Sequence, residues 1–161
     1  MKNYKYIIIL LNVVALLVYF NLSVFKKEKI LEEGQMVLLK LAPVDPRSLM
    51  QGDYMRLNYE ISNKGWNMNI PKRGYCIVKL DKDGIGHWER FQPEVLPLEK
   101  GEYALNYTIG NFSNINIGAE SFFFEEGQAE RYEKAAYGGL RIDGKGNSLL
   151  VGLYDTDRKE L

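Results

Sequence analysis

The sequence predicts a mainly β protein, a small antiparallel barrel or sandwich with one short helix, preceded by a single N-terminal transmembrane helix. Three observations carry that expectation. Residues Ile7 to Phe25 contain no charged side chain, the chain that follows places its apolar residues at period two, and Asp-, Asn- and Gly-rich turns separate the alternating stretches.

The nineteen residues from Ile7 to Phe25 make about 28 Å of helix, close to the hydrocarbon thickness of a bilayer. Asn21-Leu22-Ser23-Val24-Phe25-Lys26 offers bulky residues where a leader-peptide cleavage site needs small ones, so the helix is expected to stay as a signal anchor. Lys2 and Lys5 flank one end and Lys26, Lys27 and Lys29 the other, a near balance of positive charge. The short N-terminal tail favours a cytoplasmic N terminus and an extracytoplasmic domain. Tyr4, Tyr6, Tyr19, Phe20 and Phe25 suit aromatic belts at the two interfaces. Asn12 lies within the apolar run. It either marks a polar contact with another membrane protein or is a single tolerated carboxamide facing lipid. The organisation read from these signals is an anchor over 1–25, a charged stalk over 26–34 ending at a helix C-cap on Gly34, and a β domain over 35–161.

Within the domain, Gln35 to Leu41 reads as the first strand, stopped by Pro43 and Pro46. Asp53 to Ile61 reads as the second, with Met55, Leu57, Tyr59 and Ile61 on the buried face and Tyr54, Arg56, Asn58 and Glu60 on the wet one. Further strands are expected at Gly74 to Leu80, Gly86 to Gln92, Glu102 to Ile109, Gly139 to Ile142 and Leu149 to Tyr154. Asp81-Lys82-Asp83-Gly84 and Asp143-Gly144-Lys145-Gly146-Asn147 supply turns. Glu125 to Tyr137 has Ala129, Tyr132, Ala135 and Ala136 at helical spacing and predicts the one short helix, while Gly110 to Gly118 predicts an Asn-rich surface loop.

Composition narrows the chemistry. The chain has 21 basic and 21 acidic residues; Lys2 and Lys5 precede the apolar run, so the rest holds 19 basic against 21 acidic residues and a net charge of −2. Its cations are scattered, which argues against nucleic acid as a partner. Cys76 is the sole cysteine, set in a strand interior, and reads as a small buried hydrophobe. His87 is the sole histidine and reads as a strand-edge residue, too little for a histidine metal site or a serine triad. Asp81 and Asp83 lack the further oxygen ligands of a calcium loop and read as a hairpin turn. There is no glycine motif that cradles phosphate, so no cofactor is expected.

Asp45-Pro46-Arg47 reads as a rigid corner, Asp45 accepting from backbone N–H groups ahead of it and Pro46 fixing φ, with Arg47 presented outward. Asp53 after Gly52 starts the second strand, and its carboxylate either ties down a turn or does acid–base work. Tyr54, Arg56 and Glu60 form a contact surface or a solvated face.

Pro43-Val44-Asp45-Pro46-Arg47 through Gly52-Asp53-Tyr54-Met55-Arg56-Leu57-Asn58-Tyr59-Glu60-Ile61 closely resembles the bacterial GDYXXLXY family, named for that string. Gly74-Tyr75-Cys76-Ile77-Val78-Lys79-Leu80 and Phe123-Phe124-Glu125-Glu126-Gly127-Gln128-Ala129 resemble its later blocks. The resemblance implies a membrane-anchored envelope protein of uncharacterised activity that works with a polytopic membrane protein. It singles out Asp45, Pro46, Arg47, Gly52, Asp53, Tyr54, Leu57 and Tyr59 as motif positions of a contact corner.

Two functions of different classes follow. One is a non-enzymatic accessory or binding module tethered outside the cytoplasmic membrane. The other is an envelope hydrolase. Leu49 with Gly52-Asp53 resembles the Pro-Thr-Leu-x-x-Gly-Asp segment of signal peptidases, but their serine would fall at Val44, which leaves covalent catalysis no nucleophile. A carboxylate pair acting on an envelope polymer is the other hydrolytic route.

Overall fold

The computed structural model describes residues 3–42, 54–65, 68, 70–110 and 114–161. Its first helix, α1 (Asn3–Glu33), runs unbroken for 31 residues, so anchor and stalk form one rod of about 46 Å. It is long and apolar enough to cross a membrane. Every residue from Tyr4 to Leu22 is exposed; only Ser23 and Ile30 are half-buried. The domain therefore covers the end of the rod and leaves the rest without protein neighbours.

The helix ends where its sequence stops offering a side chain. The Gly34 N–H donates to the Ile30 carbonyl at 2.9 Å, and a Cβ at Gly34 would run into that same oxygen and lie 3.2 Å from the Arg141 Cβ. Close approach, not a left-handed backbone, is what requires glycine here. Arg141 Nη1 then donates to the Gly34 carbonyl at 2.8 Å, fastening the rod to the sheet.

Among the described residues nine strands follow: β1 (Gln35–Lys40), β2 (Tyr54–Arg56), β3 (Arg73–Leu80), β4 (Gly86–Gln92), β5 (Glu102–Ile109), β6 (Ile115–Asn116), β7 (Ser121–Phe123), β8 (Tyr137–Ile142) and β9 (Ser148–Tyr154). A 3-10 helix spans Glu60–Gly65 and α2 spans Ala129–Tyr132. The pairings within sheets are antiparallel, in the orders β1-β8-β9, β4-β3-β5-β6 and β2-β7. Single links join the sheets: a parallel bridge between Leu38 and Ile85, an antiparallel one between Leu41 and Tyr59, and N–H donation from Ala42 to Asn58 and from Asn106 to Gly146, each at 2.8 Å. All three sheets wrap one core that includes Val37, Leu39, Tyr59, Val78, Leu105, Leu140 and Leu153. Each such side chain removed from water contributes roughly 1.5–3 kcal/mol.

The fold class is the one the sequence predicts: mainly β with antiparallel sheets, one short helix and an apolar N-terminal helix. Several local expectations are corrected. The Asp53 to Ile61 strand is regular only over Tyr54–Arg56. Its period-two burial persists through Ile61, but Leu57 bonds to Glu120, Asn58 to Ala42 and Tyr59 bridges Leu41, so no one neighbour extends the ladder before the 3-10 turn. The Glu125 to Tyr137 helix shrinks to four residues. Gly127 at φ +83° breaks it on one side, and on the other the sheet claims Ala136, whose N–H donates to Tyr154 and whose carbonyl accepts from Leu41. The Gly110 to Gly118 loop contains β6, because Ile115 is 1% exposed and pairs with Ile109. β7 went unforeseen, as Ser121–Phe123 is too short for periodicity to reveal.

Candidate functional site

The motif strand divides its residues between core and surface. Met55, Leu57, Tyr59 and Ile61 are buried, and Tyr59 is fully enclosed with its hydroxyl donating to the Ala119 carbonyl at 2.8 Å. Burial pushes that hydroxyl's pKa upward, with the charge of Glu120 adding to it. Two of the motif positions, Leu57 and Tyr59, are thus internal packing groups. Tyr54 remains on the surface, its ring 5.7 Å from the ring of Phe123, which is 73% exposed. Asp45, Pro46, Arg47, Gly52 and Asp53 lie outside the described residues, as do Val44 and Leu49.

Beside this strand is a polar cleft of about 380 Å³, lined by Arg56, Asn58, Ser62, Asn114, Asn116 and Glu120. A second cleft of about 510 Å³ continues from Asn116 to Arg73, Tyr75, Asn106 and Thr108. Both sizes suit small ligands. Three chain segments distant in sequence meet there. The Asn-rich composition of Gly110 to Gly118 is the signal the sequence carries for it, and by itself it predicts a surface loop and no cleft. Glu120 lines the first cleft, its Oε1 accepting the N–H groups of Ile117 and Gly118. It is the only carboxylate lining either cleft among the described residues. An acid–base pair for glycoside hydrolysis needs two such groups about 5–9.5 Å apart.

Other ionisable groups serve the fold. Arg90 grips Glu102 with Nη1 and Nη2 at 2.6 and 2.8 Å, and Glu102 Oε2 also accepts the Glu99 N–H at 2.8 Å. The guanidinium, then the backbone donor, hold this carboxyl's pKa down at about 2. Local patterning carries no sign of this pair, since twelve residues separate partners that meet only across the β4–β5 connection. Asp81 does tie down the β3–β4 hairpin as expected: Oδ1 accepts from Asp83 and Ile85, each at 2.9 Å, and Oδ2 meets His87 Nε2 at 2.9 Å. Cys76 is fully buried and burial pushes its thiol up to about 12, which suits a packing role and not a nucleophile. Among the described residues no cluster of three or more His, Cys, Asp or Glu has the geometry to hold a metal.

On α1, Asn12 Nδ2 donates to the Ile8 carbonyl at 2.9 Å. This uses one N–H of the carboxamide and leaves a second donor and the oxygen directed outward. Asn21, passed over in the sequence, does the same with Leu17 at 2.8 Å.

A family model described as GDYXXLXY protein matches residues 16–153. No curated protein and no solved structure matches the chain. The match runs from the middle of α1 through β8 into β9 and takes in the motif strand and both clefts, so the chain belongs to the GDYXXLXY family.

Proposed function

We propose that this protein is a single-pass accessory module of the bacterial cytoplasmic membrane, with its β domain on the extracytoplasmic side and a polytopic membrane protein as its partner. The partner is met at two levels. Within the bilayer a transmembrane helix of the partner satisfies the outward half of the Asn12 carboxamide, and outside it a partner loop meets the Asp45 to Tyr54 corner.

The exposure of α1 from Tyr4 to Leu22 is the observation that carries this reading. A helix bearing an Asn in hydrocarbon gains from a hydrogen-bonding neighbour, by about 0.5–2 kcal/mol, and its own domain supplies none. The exposed rings of Tyr54 and Phe123 support the second contact, because aromatic side chains anchor interfaces more often than they decorate free surfaces. The carboxylates of Glu120, Asp81 and Asp143 accept backbone N–H groups, an arrangement that supports a binding module over a hydrolase.

Crosslinking with mass spectrometry in native membranes tests the proposal. Wild type is expected to capture one multi-span protein, and an Asn12→Leu/Arg47→Ala double variant to lose most of that yield. Recovery of no partner by wild type, or equal recovery by the variant, refutes it. Protease added outside intact spheroplasts is expected to digest the domain; protection would refute its placement.

A further inference from the structure

The two clefts adjoin at Asn116, which lines both, so they form one groove along β6. Its chemistry is unusual for a surface. The carboxamides of Asn58, Asn114 and Asn116 face it, and among the described residues none of the three is in a side-chain hydrogen bond. Arg56 and Arg73 stand at the two ends, neither of them ion-paired among the described residues. Tyr75 lines the floor beyond Asn116, its ring lying over Gly146, where a Cβ would come within 2.9 Å.

We propose that this groove binds an extended saccharide bearing carboxylate groups. The carboxamides of Asn58, Asn114 and Asn116 bind its hydroxyls, Tyr75 stacks on a ring face, and Arg56 and Arg73 take the carboxylates. A carboxamide offers two donors and an acceptor in one plane, and a sugar hydroxyl is both donor and acceptor, so the two match without titrating either. Guanidinium groups recognise carboxylates through paired N–H bonds. The C–H face of a sugar ring is apolar and packs on an aromatic face. A peptide ligand would also need apolar recesses for its side chains. Among the groove's apolar residues Leu57, Ile115 and Ile117 are at most 4% exposed and turn into the core, which leaves Pro93 exposed near the Arg73 end and no row of recesses. With Glu120 as the one carboxylate, held by two backbone donors, the groove holds its ligand and does not cleave it. This inference concerns a different ligand from the partner contact proposed above and its test uses no partner protein, although Arg56 shares the outward face of β2 with Tyr54.

Titration calorimetry on the full chain in nanodiscs tests it, with tetragalacturonate as the anionic probe, chitotetraose as the neutral one and tetraglutamate as the charged peptide. Tetragalacturonate is expected to bind saturably. Its affinity should fall about tenfold in Arg56→Gln, and at least as much in Asn116→Asp, which keeps the side chain's shape and adds a like charge. Chitotetraose should bind about tenfold more weakly than tetragalacturonate, and tetraglutamate not measurably. An unchanged melting temperature in Arg56→Gln, at an exposed position, separates lost contact from lost fold. The proposal is overturned if no saccharide binds below about 10 mM, if both variants bind as wild type does, if the neutral probe binds as well as the anionic one, or if the peptide binds as tightly as the sugar.

Discussion

Tyr59→Phe isolates a single buried hydrogen bond in the family motif. The Tyr59 hydroxyl donates to the Ala119 carbonyl at 2.8 Å from a fully enclosed position. Removing the oxygen leaves that carbonyl without its donor and changes little else, so the cost is that of an orphaned buried acceptor, about 1–3 kcal/mol. Over the roughly 127 residues from Gln35 to the C terminus, at about 2.1 cal/mol/K each, the unfolding entropy is about 0.27 kcal/mol/K. A loss of ~1.5 kcal/mol therefore lowers Tm by about 5–6 °C. Gly138→Ala attacks the hydroxyl end of the same ring, because its Cβ would lie 2.8 Å from Tyr59 Cε1 and Oη; that overpacking costs about 1–3 kcal/mol. In the double variant the absent oxygen makes room for part of the new methyl, so the two costs should add to less than their sum. Thermal melts followed by the fluorescence of Trp88 and Trp66 in detergent micelles measure all three. A Tyr59→Phe shift under about 1 °C, or strict additivity in the double variant, would show that Tyr59 is not the packed, bonded strut described here.

Glu102→Gln should lower Tm at neutral pH, and the gap from wild type should close with acid. The carboxyl's pKa is depressed to about 2 in the fold against an ordinary 4.5, so its stabilisation is present in full above 4.5 and is lost as pH falls towards 2; a gap constant from pH 7 to pH 2.5 contradicts the pairing with Arg90. Cys76 should resist iodoacetamide at pH 8 in the folded protein and react stoichiometrically in guanidinium, given its burial and a thiol raised to about 12. Rapid labelling without denaturant would place it on the surface.

What the sequence made legible was whatever depends on local period. The apolar rod, the alternation from Met55 to Ile61 and strands β3, β4, β5 and β9 follow from side chains that must alternate between core and water. What it hid depends on partners far along the chain. β2 stops at Arg56 because β7 is only three residues long. The helix at Ala129 stops at Tyr132 because Tyr154 and Leu41 compete for the backbone of Ala136. The strand expected from Gly139 starts two residues earlier, at Tyr137, and Gly138 and Gly139 lie inside β8, where the rings of Tyr59 and Tyr154 fill the space of their missing side chains. The groove was the least legible feature. Arg56, Arg73 and Asn116 share no spacing, and a cleft is a product of how sheets meet, which period and turn chemistry do not specify.

The join between rod and domain has a geometric consequence for any partner in the bilayer. Eighteen residues separate Asn12 from Ile30, and eighteen residues are about five turns of α-helix, so the two side chains leave the rod in the same direction. Ile30 is half-buried at the end that packs on β8 and β9, and the Arg141 bond to the Gly34 carbonyl resists rotation there. A helix docked on Asn12 therefore lies beneath the β8–β9 side of the domain, and one partner can touch both without the chain bending. Inserting one Ala after Leu22 would turn Asn12 by about 100° relative to the domain, whereas inserting four would turn it by about 40° and lift it by about 6 Å. If partner and domain are read as a unit, crosslinking yield should fall further with one inserted residue than with four. Equal losses would mean that the rod is a tether whose azimuth carries no information.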